Sequence, residues 1–317
     1  MKKYLISMIV LLVIGAIICG GGAIVYAQSD NRIFEKDLEY TQKEYVAESE
    51  INAIDFSLMG AYNFILQRGD TCSVSYFESE ISHFTVLEEN GTLKMQEKYE
   101  WKNIITKWCN KQQKTDLVLT VPEGVILSMD CHFSGAVTLE LPEWEYGDIN
   151  MKLSGATTLS SESPIKAEQL NFDVSGVLTA SLKGEFDSIN LKVSGSSSMT
   201  FDGSAKSIIM KSSGATNFNS NELVCPEINV NASGSAKITL NGEGKEFNAH
   251  ASGYCSIDAG TFTLDTLSIN ASGAVNMTVN VKDEINSHAS GSVKVDYYGD
   301  PKISTSGSSK AKYNKIG

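Results

Sequence analysis

Residues 149–159 read INMKLSGATTL, and the phrase returns down the chain as LNFDVSGVLTA (170–180), INLKVSGSSSM (189–199) and IIMKSSGATNF (208–218). Ser-Gly pairs end at Gly135, Gly155, Gly176, Gly195, Gly214, Gly234, Gly253, Gly273, Gly291 and Gly307. The steps between them are 20, 21, 19, 19, 20, 19, 20, 18 and 16 residues, a pitch too even for chance composition. A fixed period near 20 is the mark of a solenoid.

The columns say which solenoid. Alternate residues of a strand share a face, so each glycine is taken as zero and the chain is read in steps of two. Six before it stand Met129, Ile149, Leu170, Ile189, Ile208, Ile228, Phe247, Leu267 and Ile285; four after it stand Leu139, Leu159, Ala180, Met199, Phe218, Ile238, Ile257, Met277 and Val295. Even offsets form the interior. Odd offsets are polar: Asn recurs five before the glycine as Asn150, Asn171, Asn190, Asn229, Asn248 and Asn286, and Ser precedes every glycine. Period two with no helical stretch between repeats excludes leucine-rich and helical arrays. The expectation is an all-β, parallel β-helix with coils of about 20 residues stacked about 4.8 Å apart.

The N-terminus supplies an address. Lys2 and Lys3 precede an uncharged run of 26 residues, Tyr4 to Ser29, longer than the ~20 a membrane helix needs. Basic residues ahead of it place that end in the cytoplasm and the rest outside. The expected organisation is a transmembrane anchor at 1–29, a polar stalk at 30–47 and a β-helix domain at 48–317. Within that domain, 48–128 are opening strands and 129–317 the Ser-Gly coils. A cleaved signal peptide is the alternative, with Val25 and Ala27 before the cut. Either way the domain is exported; with the anchor kept, the expectation is a single-pass protein of the cell membrane with the β-helix extracellular.

A formal charge of −12 argues against nucleic acid, since phosphate binding needs a basic surface. Five exported cysteines, Cys72, Cys109, Cys131, Cys225 and Cys255, have no CxxC spacing. They read as core fillers, with Cys72 and Cys109 the pair that one bridge could use.

Each candidate for chemistry has a structural counterpart. A reactive serine needs a partnered base, and no His or Asp recurs beside the Ser-Gly column; the pair reads as a corner, with serines bonding to coils above and below. The Asn column reads as a hydrogen-bonded ladder, and the sequons at Asn231 and Asn270 follow from it. His132, His250 and His288 share one column, but His250 and His288 lie two coils apart, about 9–10 Å, too far for one zinc ion. Asp173, Asp187, Asp202, Asp258 and Asp265 fall in different columns, and neighbouring coils are expected to stack no carboxylates, which disfavours a carbohydrate-active enzyme. No catalytic residue, cofactor or metal ligand is expected. Trp101 and Trp108, in the segment Tyr99 to Lys114, are candidates for binding, or for capping the open end of the solenoid.

These residues resemble a known family, the head GIN domain of bacterial surface proteins, also called putative auto-transporter adhesin. INAIDFSLMGAYNFILQRGD (51–70) is similar to its opening strand pair, and ENGTLKMQEK (89–98) and LVLTVPEGV (117–125) to its next segments. VDYYGDPKISTSGSSKAKY (295–313) is similar to its closing signature. The resemblance covers residues 48–315. It departs at the insert 99–114 and in having a lone Ser-Gly where the family has SGSG or SGAG. It implies a right-handed β-helix on the cell surface and no catalytic residue. The expected function is adhesin-like binding or scaffolding of a polysaccharide or protein at the envelope. An envelope-stress or signalling accessory role is the alternative.

Overall fold

The computed structural model describes residues 39–99, 114–308 and 311–316. All of its regular structure is β: 21 strands joined in one continuous sheet that winds as a solenoid. Pairing between successive coils is parallel and keeps the glycine register: Ile149 lies between Met129 and Leu170, Met151 between Cys131 and Phe172, and Ala180 beside Met199. The even columns point inward and form one continuous core, in which Ile149, Leu170, Ile189 and Ile208 are fully buried. Each such side chain contributes roughly 1.5–3 kcal/mol on burial, and coil stacking makes that burial available to every repeat. From residue 177 to residue 289 each turn is nearly a single strand, such as Val177–Val193 and Ser196–Ser212, broken only at Ser-Gly.

The corner has a repeating bond pattern. Ser154 and Gly155 both donate their amides to the Phe133 carbonyl at 2.9 and 3.4 Å, and Ala156 donates to the Gly135 carbonyl at 3.0 Å. The glycine is required for room along the stacking axis. A Cβ on Gly155 would lie 1.9 Å from the Gly135 carbonyl oxygen, and one on Gly195 would lie 2.1 Å from that of Gly176. What it would crowd is therefore the preceding coil's backbone, not the interior. Serine hydroxyls bond back to main chain, not to each other: Ser194 Oγ donates to the Val174 carbonyl at 3.4 Å and Ser213 Oγ to that of Val193 at 3.5 Å.

The opening is folded differently from its sequence order. Its strands are β1 (Thr41–Val46), β2 (Ala53–Leu58), β3 (Ala61–Gly69), β4 (Ser73–Glu78), β5 (Ser82–Glu89), β6 (Thr92–Tyr99), β7 (Thr115–Pro122), β8 (Leu127–Phe133) and β9 (Ala136–Glu140). β2 lies between β6 and β8, and β3 between β7 and β9, all parallel. The coil made by β6 and β7 is thus the outermost, although it comes second along the chain. β5 and β4 pair antiparallel on β6 and β7, and β1 pairs antiparallel on β4. These antiparallel strands close a sheet edge that would otherwise invite another chain.

Three expectations are corrected here. The glycine column begins at Gly60, whose carbonyl oxygen would lie 1.7 Å from a Cβ on Gly135, so the coils start at β2 and not at residue 129. Ser306-Gly307 drops out of the column, because Ser306 pairs with His288, three residues before its glycine. Residues 41–46, read as stalk, form β1; its side chains are almost all exposed, and backbone pairing to β4 is joined by Gln42 Nε2 donating to Ser75 Oγ and the Tyr45 hydroxyl donating to Glu88, both at 2.9 Å. The anchor at 1–29 lies outside the described residues. Among the described residues, no helix is long and apolar enough to cross a membrane.

Candidate functional site

The residues leading into each Ser-Gly corner stack into one long face with three outward columns. Five before the glycine, Asn171 Nδ2 donates to Asn150 Oδ1 at 2.7 Å, Asn190 to Asn171 at 2.7 Å and Asn248 to Asn229 at 3.1 Å. Ile209 stands between Asn190 and Asn229 and interrupts the ladder. The amides are half-buried, and their bonds along the axis hold them rigid.

Three before the glycine, the exposed column runs Lys152, Asp173, Lys192, Lys211, Asn231, His250, Asn270, His288. Lys192 is paired with Asp173 at 2.7 Å, while Lys152 and Lys211 carry no ion pair among the described residues. One before the glycine come the serines. Between these columns lies a groove with three connected concavities. One of about 450 Å³ runs from Asp130 to Lys211, one of about 480 Å³ from Lys192 to Asn270, and one of about 220 Å³ from His250 to Ser306. Shared lining residues join them into one trough. The nine rungs from Asn150 to Ser304 span about 38 Å at ~4.8 Å per coil.

Another concavity, of about 460 Å³, lies on a different face and is net acidic: Lys166 meets Glu185 at 3.3 Å and Lys206 meets Asp187 at 2.7 Å, with Glu145 and Glu168 also in its lining.

The histidines fall as the spacing required. His250 and His288 flank Asn270 two coils apart, His288 Nδ1 lies 3.0 Å from Ser306 Oγ, and His132 Nε2 lies 3.4 Å from Asp130 Oδ1. Among the described residues, no three His, Cys, Asp or Glu side chains come together as a metal-ligating group. The expectation that neighbouring coils stack no carboxylates is overturned: Asp55 pairs in register with Asp130, and Glu227 with Glu246. Asp130 lines the end of the trough, whereas Glu227 and Glu246 line none of its concavities. Cys72, Cys131, Cys225 and Cys255 are free and buried, whereas Cys109 lies outside the described residues. So do Trp101 and Trp108, which come between β6 and β7 in the sequence.

The family model described as "Putative auto-transporter adhesin, head GIN domain" matches residues 56–239 and 203–301, most of the chain. The chain belongs to the head GIN domain family. No curated protein matches it. Solved structures similar to this head GIN chain include a "putative adhesin" from Parabacteroides distasonis, at 14% identity over 88% of this chain and 98% of that one, TM-score 0.40. A "putative lipid binding protein" from the same organism has 17% identity over 88% and 97%, TM-score 0.33. A "putative adhesin" from Parabacteroides merdae has 15% identity over 87% and 97%, TM-score 0.36.

Proposed function

We propose that this head GIN protein is a non-catalytic, adhesin-like binding protein of the bacterial surface, held at the membrane by residues 1–29 with the solenoid outside. Its ligand lies along the face that precedes the Ser-Gly corners. The observation that carries this reading is the continuous trough, whose walls present polar side chains at nearly every coil. Fixed amides and hydroxyls at a regular rise suit an extended chain with its own repeat better than a compact small molecule.

The test is capture of cell-wall and host-surface material by the full chain and by a variant carrying Asn231→Trp and Asn270→Trp. Both positions are exposed within the trough, so the indoles fill it without adding charge. Loss of capture supports the reading, and unchanged capture refutes it.

A further inference from the structure

We infer that the ligand of this face is an extended anionic glycan, a polysaccharide bearing carboxylate or sulfate groups; this rests on the face being the binding surface. The charge distribution carries it. The protein is strongly acidic at −12. Yet at positions five, three and one before the glycine, from the coil of Asn150 to that of Asn286, the only carboxylate is Asp173, against Lys152, Lys192 and Lys211. The concavity that runs from Asp130 to Lys211 carries three lysines against two carboxylates. Asp173 engages Lys192 and Asp130 lies 3.4 Å from His132 Nε2, so Lys152 and Lys211 carry no ion pair among the described residues. Three coils separate them, about 14 Å along the axis. A point ligand cannot engage both, whereas a linear polyanion lying in the trough can. Side-chain amides and serines between the cations offer donors and acceptors for hydroxyl groups, the other chemistry of a glycan.

Nucleic acid is the competing polyanion, and the face suits it poorly. It has no arginine for bidentate phosphate contacts and no aromatic at any of these positions for base stacking.

The experiment titrates the immobilised full chain with polygalacturonate, dextran sulfate, uncharged dextran and single-stranded DNA. The expected result is binding of polygalacturonate or dextran sulfate that weakens as salt rises, with dextran at least about tenfold weaker. Replacing Lys152, Lys192 and Lys211 together by Ala weakens anionic glycan binding by about tenfold or more, from three exposed contacts. All three side chains are exposed, so the variant keeps the wild-type melting curve. The inference is overturned if dextran binds as tightly, if the triple variant binds unchanged, if single-stranded DNA binds as well as the glycans, or if neither anionic glycan binds. Should anionic binding fail while Asn231→Trp with Asn270→Trp still abolishes surface capture, the glycan class is wrong and the face is right. Should the tryptophan variant capture normally, the face itself is wrong.

Discussion

Glu97 reaches across to Gly60: its Oε2 accepts the amides of Met59 and Gly60 at 2.6 and 2.8 Å. From the corner at Gly155 to that at Gly291, the two amides of each Ser-Gly pair share a main-chain carbonyl from the coil before. At the first glycine of the column that acceptor is instead a carboxylate, itself nearly fully buried and fixed by Ser82 Oγ at 2.6 Å. Glu97→Ala leaves the buried Gly60 donor unpaired and lowers stability by about 2 kcal/mol. Glu97→Gln keeps an acceptor and costs less. Because coils interact mainly with their neighbours, the loss is local. Hydrogen exchange of the Met59 and Gly60 amides speeds up in the alanine variant, while the corner amides near Gly234 exchange as before.

At the Ser-Gly pair, the two residues are predicted to differ sharply in tolerance. A Cβ on Gly195 would lie 2.1 Å from the Gly176 carbonyl oxygen and 2.4 Å from that of Ser175, both backbone atoms held by stacking. Gly195→Ala therefore costs about 3 kcal/mol or prevents folding. Ser194→Ala removes only a long 3.4 Å hydrogen bond and costs roughly 0.5 kcal/mol or less. Gly124→Ala, at φ 77° with nothing within 4 Å, isolates the conformational penalty at about 1 kcal/mol. Denaturant unfolding of the three variants ranks them Gly195, Gly124, Ser194 in decreasing damage.

The interior was legible because two periods, two and about twenty, are both written in the chain. Ile149, Met151 and Leu159 could be assigned inward before any coordinates. The opening was not legible. Gly60 follows Met and not Ser, and its stacking partner Gly135 comes 75 residues later, so no local periodicity links them. The stacked carboxylate Asp55 stayed hidden for the same reason. Glu227 and Glu246 share one offset, seven before their glycines, so their stacking is legible in the sequence. The trough was half visible: the Asn ladder stands out as one residue type, whereas Lys, Asp, Asn and His share a column only once the coils are stacked.

The four described cysteines are predicted to be inert. Burial pushes the thiols of Cys72 and Cys255 up to about 11 and that of Cys225 up to about 12, and drives Cys131 higher still. Near neutral pH almost no thiolate exists, and little of any sulfur reaches solvent. In a chain with Cys19→Ser and Cys109→Ser, Ellman's reagent labels none of the four in the native state and all four in guanidinium. Rapid native labelling would show that the coils open.

Acid should loosen the N-terminal strand before it melts the coils. Glu88 accepts the Tyr45 hydroxyl at 2.9 Å, the Glu48 amide at 2.8 Å and the Ser49 amide at 2.9 Å, along with the Ser49 hydroxyl. The Ser49 hydroxyl first, and then the Glu48 amide, hold its carboxyl at about 2, down from the ordinary 4.5. A carboxyl lowered on folding stabilises the native state fully above its unfolded value, and that stabilisation is lost as pH falls through the folded one. The window is therefore from about pH 4.5 to about pH 2. Within it, the Glu48 and Ser49 amides lose hydrogen-exchange protection, and the ring signals of Tyr45 shift as its hydroxyl loses the carboxylate. Glu88→Gln is already loosened at pH 7 and shows no further acid dependence at these residues. Protection of Glu48 and Ser49 that is flat with pH in the wild-type chain would show that the Glu88 contacts do not hold this segment.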